Sequence, residues 1–502
     1  MGTDDIPDTT PVTEPDHFTF LLDAIAHDKP CDLPAYNITH IDPDQLAKLL
    51  QTPNGIPILH NPNFTNTTFT GEANFHGATF EGETSFHKTT FERKANFYSA
   101  RFTGWANFDS ARFTGWAIFN SARFTGWANF DSATFTDRAN FNSTTFTDRA
   151  NFNSTTFKNE ASFNNTMFMW GVRFGGVTFE QSVESFSVFS WGRADFSGTQ
   201  FMRGGALRFS GGEIVLDGAR FGAQKVLIEG DNTVWKVVEV FAALLVLLVS
   251  SHIPVLSRKK EKQGVPRLLS LRGVDASMLT LAGLDLSQCS FDKVHNLDRL
   301  RFEQGLVFCQ PPKWLPKRRV LCQEALWRKQ HSRSGKKWDP LPLPQNLHVP
   351  FLEPKDLAQI YRGLRKGRED AKNEPGAADF YYGEMEMRRR SDSWGTCRLL
   401  DAYRLVSGYG LRPLRSGAWL GAVVVMAIAV FSSWGLEDME GSSSLLKFHD
   451  AVQFSLGALV SMSTVENTDL TRVGKWVRIA LRFFGPVLLG LTVLAVRGRV
   501  KR

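Results

Sequence analysis

The sequence predicts a mixed fold, with a β-helix of very short strands in the N-terminal half and α-helices in the C-terminal half that end in an apolar hairpin. Three observations predict this arrangement. Phenylalanine recurs between Phe64 and Phe179 at alternating spacings of five and six residues. Two long apolar stretches, Gly417–Leu436 and Trp476–Val496, lie near the C-terminus. A shorter apolar stretch, Asp450–Met462, lies between them and leads into a polar run.

The phenylalanine period requires a bend in every repeat unit. On an α-helix, five steps of 100° would place the two Phe columns about 140° apart. On one continuous strand, an odd spacing would turn alternate Phe residues to opposite faces. A coil of short strands joined by corners turns every Phe inward, and a small residue two positions earlier, such as Ala106 before Phe108, then also points inward. A fixed period of this kind predicts a β-helix.

The repeat units resemble a known family. The segments 106–110 (Ala-Asn-Phe-Asp-Ser) and 128–132 (the same five residues) resemble bacterial pentapeptide repeats, whose pattern is Ala, then Asp or Asn, then Leu or Phe, then two variable positions. The resemblance implies a right-handed quadrilateral β-helix. Every second unit here has a sixth residue, which predicts 22 rather than 20 residues per turn. Looser units continue to Phe221.

The charge of the whole chain is basic. Its 502 residues include 58 Lys and Arg against 51 Asp and Glu, a formal net charge of +7. A basic excess fits a nucleic acid or an anionic membrane surface, but a solvated surface is the simpler explanation. No nucleic-acid-binding motif is present, so no nucleic acid partner is expected. The acidic start lacks a signal-peptide pattern, which predicts that the N-terminal half stays in the cytosol.

Catalytic motifs are missing from the sequence. The five cysteines have no metal-ligand spacing, and neither a nucleophile elbow nor a phosphate-binding loop can be found. The sequence therefore predicts a non-enzymatic protein with no catalytic residues, no metal site and no cofactor.

Composition divides the chain into segments. The predicted divisions are a disordered head with a cap at 1–60, the β-helix at 61–233, an apolar segment with a basic linker at 234–264, a short second repeat segment at 265–302, a linker at 303–354, a helical hairpin at 355–393, an interfacial segment at 394–416 and a two-span unit at 417–502. Val237–Leu256 is marginal as a bilayer span. If it spanned, the basic run after it would be cytosolic and the β-helix would lie outside. That location conflicts with the prediction that the N-terminal half stays in the cytosol.

Charge patterns support the helical and interfacial segments. On the second helix of the hairpin, Glu384 and Arg388 are spaced i, i+4, as are Glu386 and Arg390, which predicts two ion pairs. The hairpin is either a partner-binding element or a structural spacer. In the basic, amphipathic segment that follows, Gly408–Gly410 reads Gly-Tyr-Gly and is interpreted as a turn.

The two-span unit is predicted to cross the membrane as a hairpin. Basic residues precede Gly417–Leu436 and follow Trp476–Val496, which places both ends in the cytosol and the connection outside. The predicted location is a multi-pass cell membrane protein whose repeat domain and C-terminus are cytoplasmic. Membrane lipids are therefore expected partners.

The connection resembles the pore of two-transmembrane potassium channels. Phe454, Ser455 and Leu456 match the pore helix of that family, and Thr464, Val465 and Asp469 match its filter in order and spacing. The resemblance implies a homo-tetramer around a pore. Where the family has Gly-Tyr-Gly, this chain has Glu466, Asn467 and Thr468, so potassium selectivity does not carry over. A ring of acidic side chains, Glu466 and Asp469, instead predicts a preference for monovalent cations.

The second apolar stretch carries two further features. Gly485, Pro486 and Gly490 either bend this helix as a gate or allow close packing. The basic residues Lys475, Arg478 and Arg482 share one helix face. Facing a pore they would oppose cations, and near the interface they would reach back to the headgroups.

Taken together, the segments resemble bacterial pentapeptide-repeat membrane proteins with an ion-channel-type C-terminus. The first hypothesis is a channel-like protein with a cytosolic repeat rod. The second is a membrane-tethered scaffold with a non-conducting pore, whose rod binds an unidentified protein through Trp105 and Trp127 if these are exposed rather than packed. The third, DNA mimicry against a topoisomerase, needs an acidic rod and is opposed by surface arginines such as Arg101, Arg112 and Arg123.

Overall fold

The structure is a computed structural model of the chain. It describes residues 17–26, 30–34, 39–50, 58–222, 224–230, 265–312, 317–331, 338, 351–435, 444–459 and 470–500. The chain forms two compact units, Met1–Phe351 and Leu352–Arg502.

The first unit is a β-solenoid, which confirms the predicted fold. Its described strands, in chain order, are β1 His40–Ile41, β2 Ile58–His60, β3 Thr68–Phe69, β4 Ala73–Asn74, β5 Thr79–Glu81, β6 Thr84–Ser85, β7 Thr90–Phe91, β8 Ala95–Asn96, β9 Arg101–Phe102, β10 Ala106–Asn107, β11 Arg112–Phe113, β12 Ala117–Ile118, β13 Arg123–Phe124, β14 Ala128–Asn129, β15 Thr134–Phe135, β16 Ala139–Asn140, β17 Thr145–Phe146, β18 Ala150–Asn151, β19 Thr156–Phe157, β20 Ala161–Phe168, β21 Gly171–Arg173, β22 Thr178–Ser190, β23 Arg193–Asp195, β24 Gln200–Ser210, β25 Glu213–Val215, β26 Arg220–Phe221, β27 Val226–Gly230, β28 Arg267–Ser270, β29 Leu279–Ala282 and β30 Arg301–Phe302.

Successive turns stack in parallel and in register. In one stack Ala106 of β10 pairs with Ala128 of β14, and β14 pairs in the same way with β18. Three further stacks, exemplified by β8–β12, β9–β13 and β7–β11, repeat the pattern. Each turn therefore has four sides, and the 22-residue turn that the sixth residue predicts is confirmed in this region.

The interior of the regular coil consists of phenylalanine. Phe102 and Phe124 stack with ring centroids 4.5 Å apart and planes 1° apart, and Phe119 lies edge-on to Phe130 at 5.6 Å. These rings are fully buried, and so is Ala117, which precedes Phe119 by two. Parallel stacking of identical rings along the axis and edge contacts between columns fill the space with favourable aromatic geometry.

Two kinds of corner alternate around the coil. In the shorter corner a residue such as Ser110 adopts a left-handed conformation with φ 58°, and the Asn107 side chain accepts a hydrogen bond from the Asp109 backbone N–H. In the longer corner a Cβ on Gly126 would lie 2.3 Å from the Gly104 carbonyl oxygen one turn away. Only glycine allows the turns to approach this closely there.

The strands before residue 231 and those after residue 264 belong to one solenoid. Ile214 of β25 pairs with Leu268 of β28, and Ile228 of β27 pairs with Leu281 of β29. A Cβ on Gly230 would lie 2.9 Å from Pro266 Cγ, so the chain leaves and rejoins the coil at neighbouring points. The residues of the predicted second repeat segment, 265–302, therefore stack directly on the first. The predicted apolar segment Val237–Leu256 lies outside the described residues.

Short helices lie before and after the coil. Helix α1 spans His17–Ala26 and α2 spans Pro43–Leu49; α2 begins with a capping box in which Asp42 and Gln45 exchange hydrogen bonds. A 3₁₀ turn spans Leu297–Arg299. Helix α3, Cys322–His331, falls within the predicted linker 303–354, and Ala325 on it packs with Val320 and Trp338 in a small apolar cluster.

The second unit is helical. Its described helices are α4 Pro354–Asp370, α5 Glu374–Ser391, α6 Trp394–Ser407, α7 Pro413–Val430, α8 Ser444–Leu459 and α9 Arg472–Val500, and a π-helical turn, Phe431–Gly435, follows α7. Residues 374–376 lie in the first turn of α5. Asn373 caps the helix and Pro375 occupies its first turn, where proline costs no hydrogen bond.

Candidate functional site

The candidate site is the helical hairpin at the end of the second unit. Among the described residues, two segments are long and apolar enough to cross a membrane, Pro413–Trp434 with a mean hydropathy of 1.9 and Arg472–Val496 with 2.1. Over the most apolar 18 residues of each segment, only 17% are buried inside the structure. Length and composition alone give weak support for membrane association, but they agree with the two apolar stretches that the sequence singled out.

Helix α8 packs between these two segments. Ala451 on α8, Ala427 and Phe431 at the end of α7, and Leu481 on α9 belong to one buried cluster. The three residues predicted for a pore helix lie on α8, and their side chains face different surroundings. Phe454 packs against this cluster 6.2 Å from the Phe431 ring centroid, Ser455 is buried and donates to the Ala451 carbonyl at 2.7 Å, and Leu456 is half exposed.

The six predicted pore-loop residues, Thr464, Val465, Glu466, Asn467, Thr468 and Asp469, lie outside the described residues. The chain on either side of them is anchored. Leu459 and Leu470 are buried, and the Thr471 hydroxyl donates to the Trp434 carbonyl at 2.6 Å. The end of the first apolar segment is thus held against the start of the second.

The predicted hinge residues lie within α9, which has no break in its described length. A Cβ on Gly485 would lie 3.2 Å from Leu459 Cγ, so this glycine lies against α8. Pro486 is inside the helix, where it removes one backbone donor, and a Cβ on Gly490 would meet nothing within 4 Å. The contact of Gly485 fits close packing, while the role of a gate stays a prediction.

The basic residues of α9 lie on one side of it. Lys475 and Arg482 are exposed and Arg478 is half-buried. The buried face of the same helix includes Gly474, Leu481 and Gly485. Lys475 and Arg482 lie outside the cluster with α7 and α8, whereas the half-buried Arg478 borders it.

A buried ionic network lies before the first apolar segment. Glu384 and Glu386 on α5 are almost fully buried, and the predicted pairs with Arg388 and Arg390 are confirmed at 2.7 and 2.9 Å. Glu384 also pairs with Arg365 on α4, at 3.0 Å. Two carboxylates buried among several guanidinium groups hold α4 and α5 in one arrangement, because an unpaired charge there would be costly.

Further contacts of Glu386 extend this network to α6 and to the turn before α7. Its carboxylate pairs with Arg404 at 3.1 Å and accepts a hydrogen bond from the Tyr409 hydroxyl at 3.0 Å. Tyr409 is only 1% exposed, and burial together with the Glu386 charge raises the pKa of its phenol. Gly408, Tyr409 and Gly410 all have positive φ, as expected of a turn. Sequence reasoning missed the burial of Tyr409, because its partner Glu386 lies 23 residues earlier in the chain.

The surface of the solenoid carries a pair of stacked indoles. Trp105 and Trp127 are 37% and 41% exposed, and their centroids lie 5.6 Å apart with planes 8° apart. Trp116 is similarly exposed. The prediction left open whether these side chains are packed or exposed, and they are partly exposed. Close by in the repeat, Arg101 of β9 pairs with Arg123 of β13, which places two like charges in adjacent turns.

The repeats of the solenoid match a known protein family. Residues 64–112, 88–134 and 130–178 match the family model described as pentapeptide repeats (9 copies). This region belongs to the pentapeptide-repeat family. Searches of curated proteins and of solved structures find no match to the chain. The family match covers the regular pentapeptide-repeat coil and does not extend to the C-terminal helices.

Three cysteines of the first unit, Cys31, Cys289 and Cys322, are buried. Burial raises the pKa of Cys31 and of Cys322 to about 12, and it also raises the pKa of Cys289. At neutral pH these thiols stay protonated, and the protonated thiol is a poor nucleophile and metal ligand.

Proposed function

We propose that the chain is a non-enzymatic membrane protein in which a pentapeptide-repeat rod is joined to an ion-channel-like pore unit. The observation that carries the proposal is the arrangement of α7, α8 and α9. A short helix packs between two segments of membrane-spanning length, and the ends of its loop are held beside them. A span, a short helix, a polar loop and a second span form the plan of a channel pore.

In this proposal both ends of the unit are cytosolic. Arg412 and Arg415 precede or begin α7, and basic residues follow the second span, so the positive-inside rule favours this orientation. The pore is built by a homo-oligomer, four copies in the arrangement that the resemblance implies. Membrane lipids cover the outer surface of the spans, and small ions pass between the copies.

The solenoid keeps the two parts of the rod on the same side of any membrane. Because β25 pairs with β28 and β27 with β29, the strands before residue 231 and after residue 264 belong to one coil and lie on one side of any membrane. A single crossing by Val237–Leu256 would separate them. Two crossings would need about 40 residues, and residues 231–264 number 34. We therefore expect no span between the two parts of the rod.

Ion flux through the purified full-length protein tests the proposal. Reconstituted in liposomes, the protein should dissipate an ion gradient, and protease added outside right-side-out vesicles should leave the rod intact. An oriented, intact oligomer that passes no ions would contradict the channel. A rod digested from outside would contradict the topology.

A second candidate is a membrane-tethered scaffold with a non-conducting pore. The exposed, stacked Trp105 and Trp127 favour it, since aromatic side chains on a regular surface suit a protein partner. Under this proposal, Trp105→Ala combined with Trp127→Ala would abolish capture of the partner while leaving ion flux unchanged. DNA mimicry ranks third, because Arg101 and Arg123 stack on the rod surface, where an acidic row would be needed.

A further inference from the structure

Helix α9 presents three faces to its surroundings. One is buried against α7 and α8 and includes Leu481 and Gly485. A second is apolar and exposed: Trp476 and Phe483 are 73% and 69% exposed. The third carries Lys475, Arg478 and Arg482, and at 100° per residue it lies about 120° from the apolar exposed face. Lys475 and Arg482 thus lie between the core-packing face and the face suited to lipid, and the half-buried Arg478 borders the core-packing face.

Arg482 lies within the apolar part of the second span. The apolar stretch Trp476–Val496 is centred on residue 486, four residues beyond Arg482, or about 6 Å along the axis. A guanidinium at the centre of a bilayer is costly, and such residues face a bundle interior or a water-filled cavity. Arg482 is exposed and forms no ion pair or hydrogen bond within the described residues. The described part of its own chain therefore does not supply the polar surroundings that the charge needs.

We propose that the basic face of α9 lines a water-filled cavity closed by further copies of this chain, and that the cavity attracts small inorganic anions. This inference rests on the proposed function and gives the pore a charge preference. Each copy contributes Lys475, Arg478 and Arg482, so a ring of copies concentrates positive charge along the cavity. Rings of arginine and lysine favour anions, as acidic rings favour cations. The positive charge of these residues opposes the cation preference that Glu466 and Asp469 predict.

Two adjacent residue pairs provide matched probes. Arg482 and Phe483 differ by one position and by 100° around the helix, and so do Lys475 and Trp476 about two turns earlier. The full-length variants Arg482→Cys, Phe483→Cys, Lys475→Cys and Trp476→Cys are made singly and reconstituted in liposomes. Each is treated with one negatively charged and one positively charged membrane-impermeant thiol reagent. Modification of the introduced cysteine is followed by mass spectrometry of its own peptide, so the native cysteines do not interfere.

The cysteines introduced on the basic face should react at least about tenfold faster than their neighbours, because a thiol surrounded by hydrocarbon does not ionise. The negative reagent should react about tenfold faster than the positive one in the Arg482→Cys variant, since the remaining basic side chains of all copies attract it. Equal reactivity of the Arg482→Cys and Phe483→Cys variants, or a preference for the positive reagent, would overturn the inference. If the Arg482→Cys variant fails to assemble, the Lys475 and Trp476 pair decides by the same criteria.

The labelling result is independent of ion flux. A hydrated, anion-attracting cavity in a protein that passes no ions would support this inference and refute the channel. Flux of cations through a protein whose Arg482→Cys variant is unreactive would support the channel and refute this inference. The two proposals therefore fail separately.

Discussion

The regular coil of the solenoid and the C-terminal hairpin bury their apolar residues to different extents. Between Phe64 and Phe179 every phenylalanine of the period is buried inside the chain itself. On α9, by contrast, Phe483, Phe484 and Val487 are more than half exposed. Both regions are rich in apolar residues, so composition alone does not distinguish them.

The difference shows which region is complete by itself. In the coil each aromatic ring meets an identical ring one turn above, so a single chain closes the core apart from its ends. In the hairpin only one face of each long helix is covered. The remaining apolar surface must be covered by lipid or by another copy of the chain. The coil derives its stability from internal packing, whereas the hairpin depends on its surroundings.

Phe119→Ala should have the largest effect. It removes a fully buried ring that contacts Phe97, Phe130 and Phe141, and we expect the free energy of unfolding to fall by about 4 kcal/mol. Chemical denaturation of the full-length protein in detergent measures it. Phe483→Ala is the matched control on the exposed face of α9 and should change this value by less than about 0.5 kcal/mol. Similar losses for both variants would contradict the comparison.

Glu386→Ala should cost about 3 kcal/mol of stability in the helical unit. The substitution leaves Arg390, Arg404 and the Tyr409 hydroxyl without their shared buried acceptor. Thermal unfolding followed by helical circular dichroism measures the change. Glu369→Ala removes an exposed pair with Arg365 and should cost only about 0.5 kcal/mol. A loss no larger than that of the control would show that the network does not hold this unit together.

Gly126→Ala tests the close approach of turns in the longer corner. The new methyl group would meet the Gly104 carbonyl oxygen at 2.3 Å, so we expect a loss of about 2 kcal/mol. Gly490→Ala on α9 meets nothing within 4 Å and should be neutral or stabilising by up to about 1 kcal/mol. The two denaturation midpoints should therefore move in opposite directions or only the first should move.

Asp131→Asn should give the smallest effect and raise stability. Burial and the nearby Asp109 charge raise the pKa of Asp131, so its ionised form is disfavoured in the folded state and stability increases as the pH falls. The next turn has Asn153 at this position. We expect a gain of about 0.5 kcal/mol or less at neutral pH, because the group is largely solvated. The difference from the unsubstituted protein should shrink near pH 3, about one unit below the usual pKa of Asp; a gain that persists there would exclude the charge as its cause.

Local patterns predicted much of this structure. The five-and-six spacing of phenylalanine was enough for the coil and its 22-residue turn, because a repeated unit repeats its own contacts in every turn. The pairs of Glu384 with Arg388 and of Glu386 with Arg390 followed from helical spacing alone. For the candidate site, the sequence located both apolar segments and the helix between them, but the pore-loop residues stay a prediction.

Other features depend on contacts between distant parts of the chain. The buried Tyr409 donates its hydroxyl hydrogen bond to Glu386, 23 residues earlier, and α3 within the predicted linker packs against Trp338. Neither partner is implied by local spacing. The exposure of Trp105 and Trp127 was likewise undecided, because a corner residue can turn inward or outward with the same sequence period.

The sequence by itself determined the repeat, the turn length and the positions of the apolar helices, because each follows from the spacing of similar residues along a regular backbone. Only the tertiary structure decided that residues before 231 and after 264 form one rod, and that Lys475 and Arg482 on α9 lie outside the cluster with α7 and α8. Strand pairing across a long insertion and the choice of packing face arise from the summed burial of many side chains, which no local period specifies.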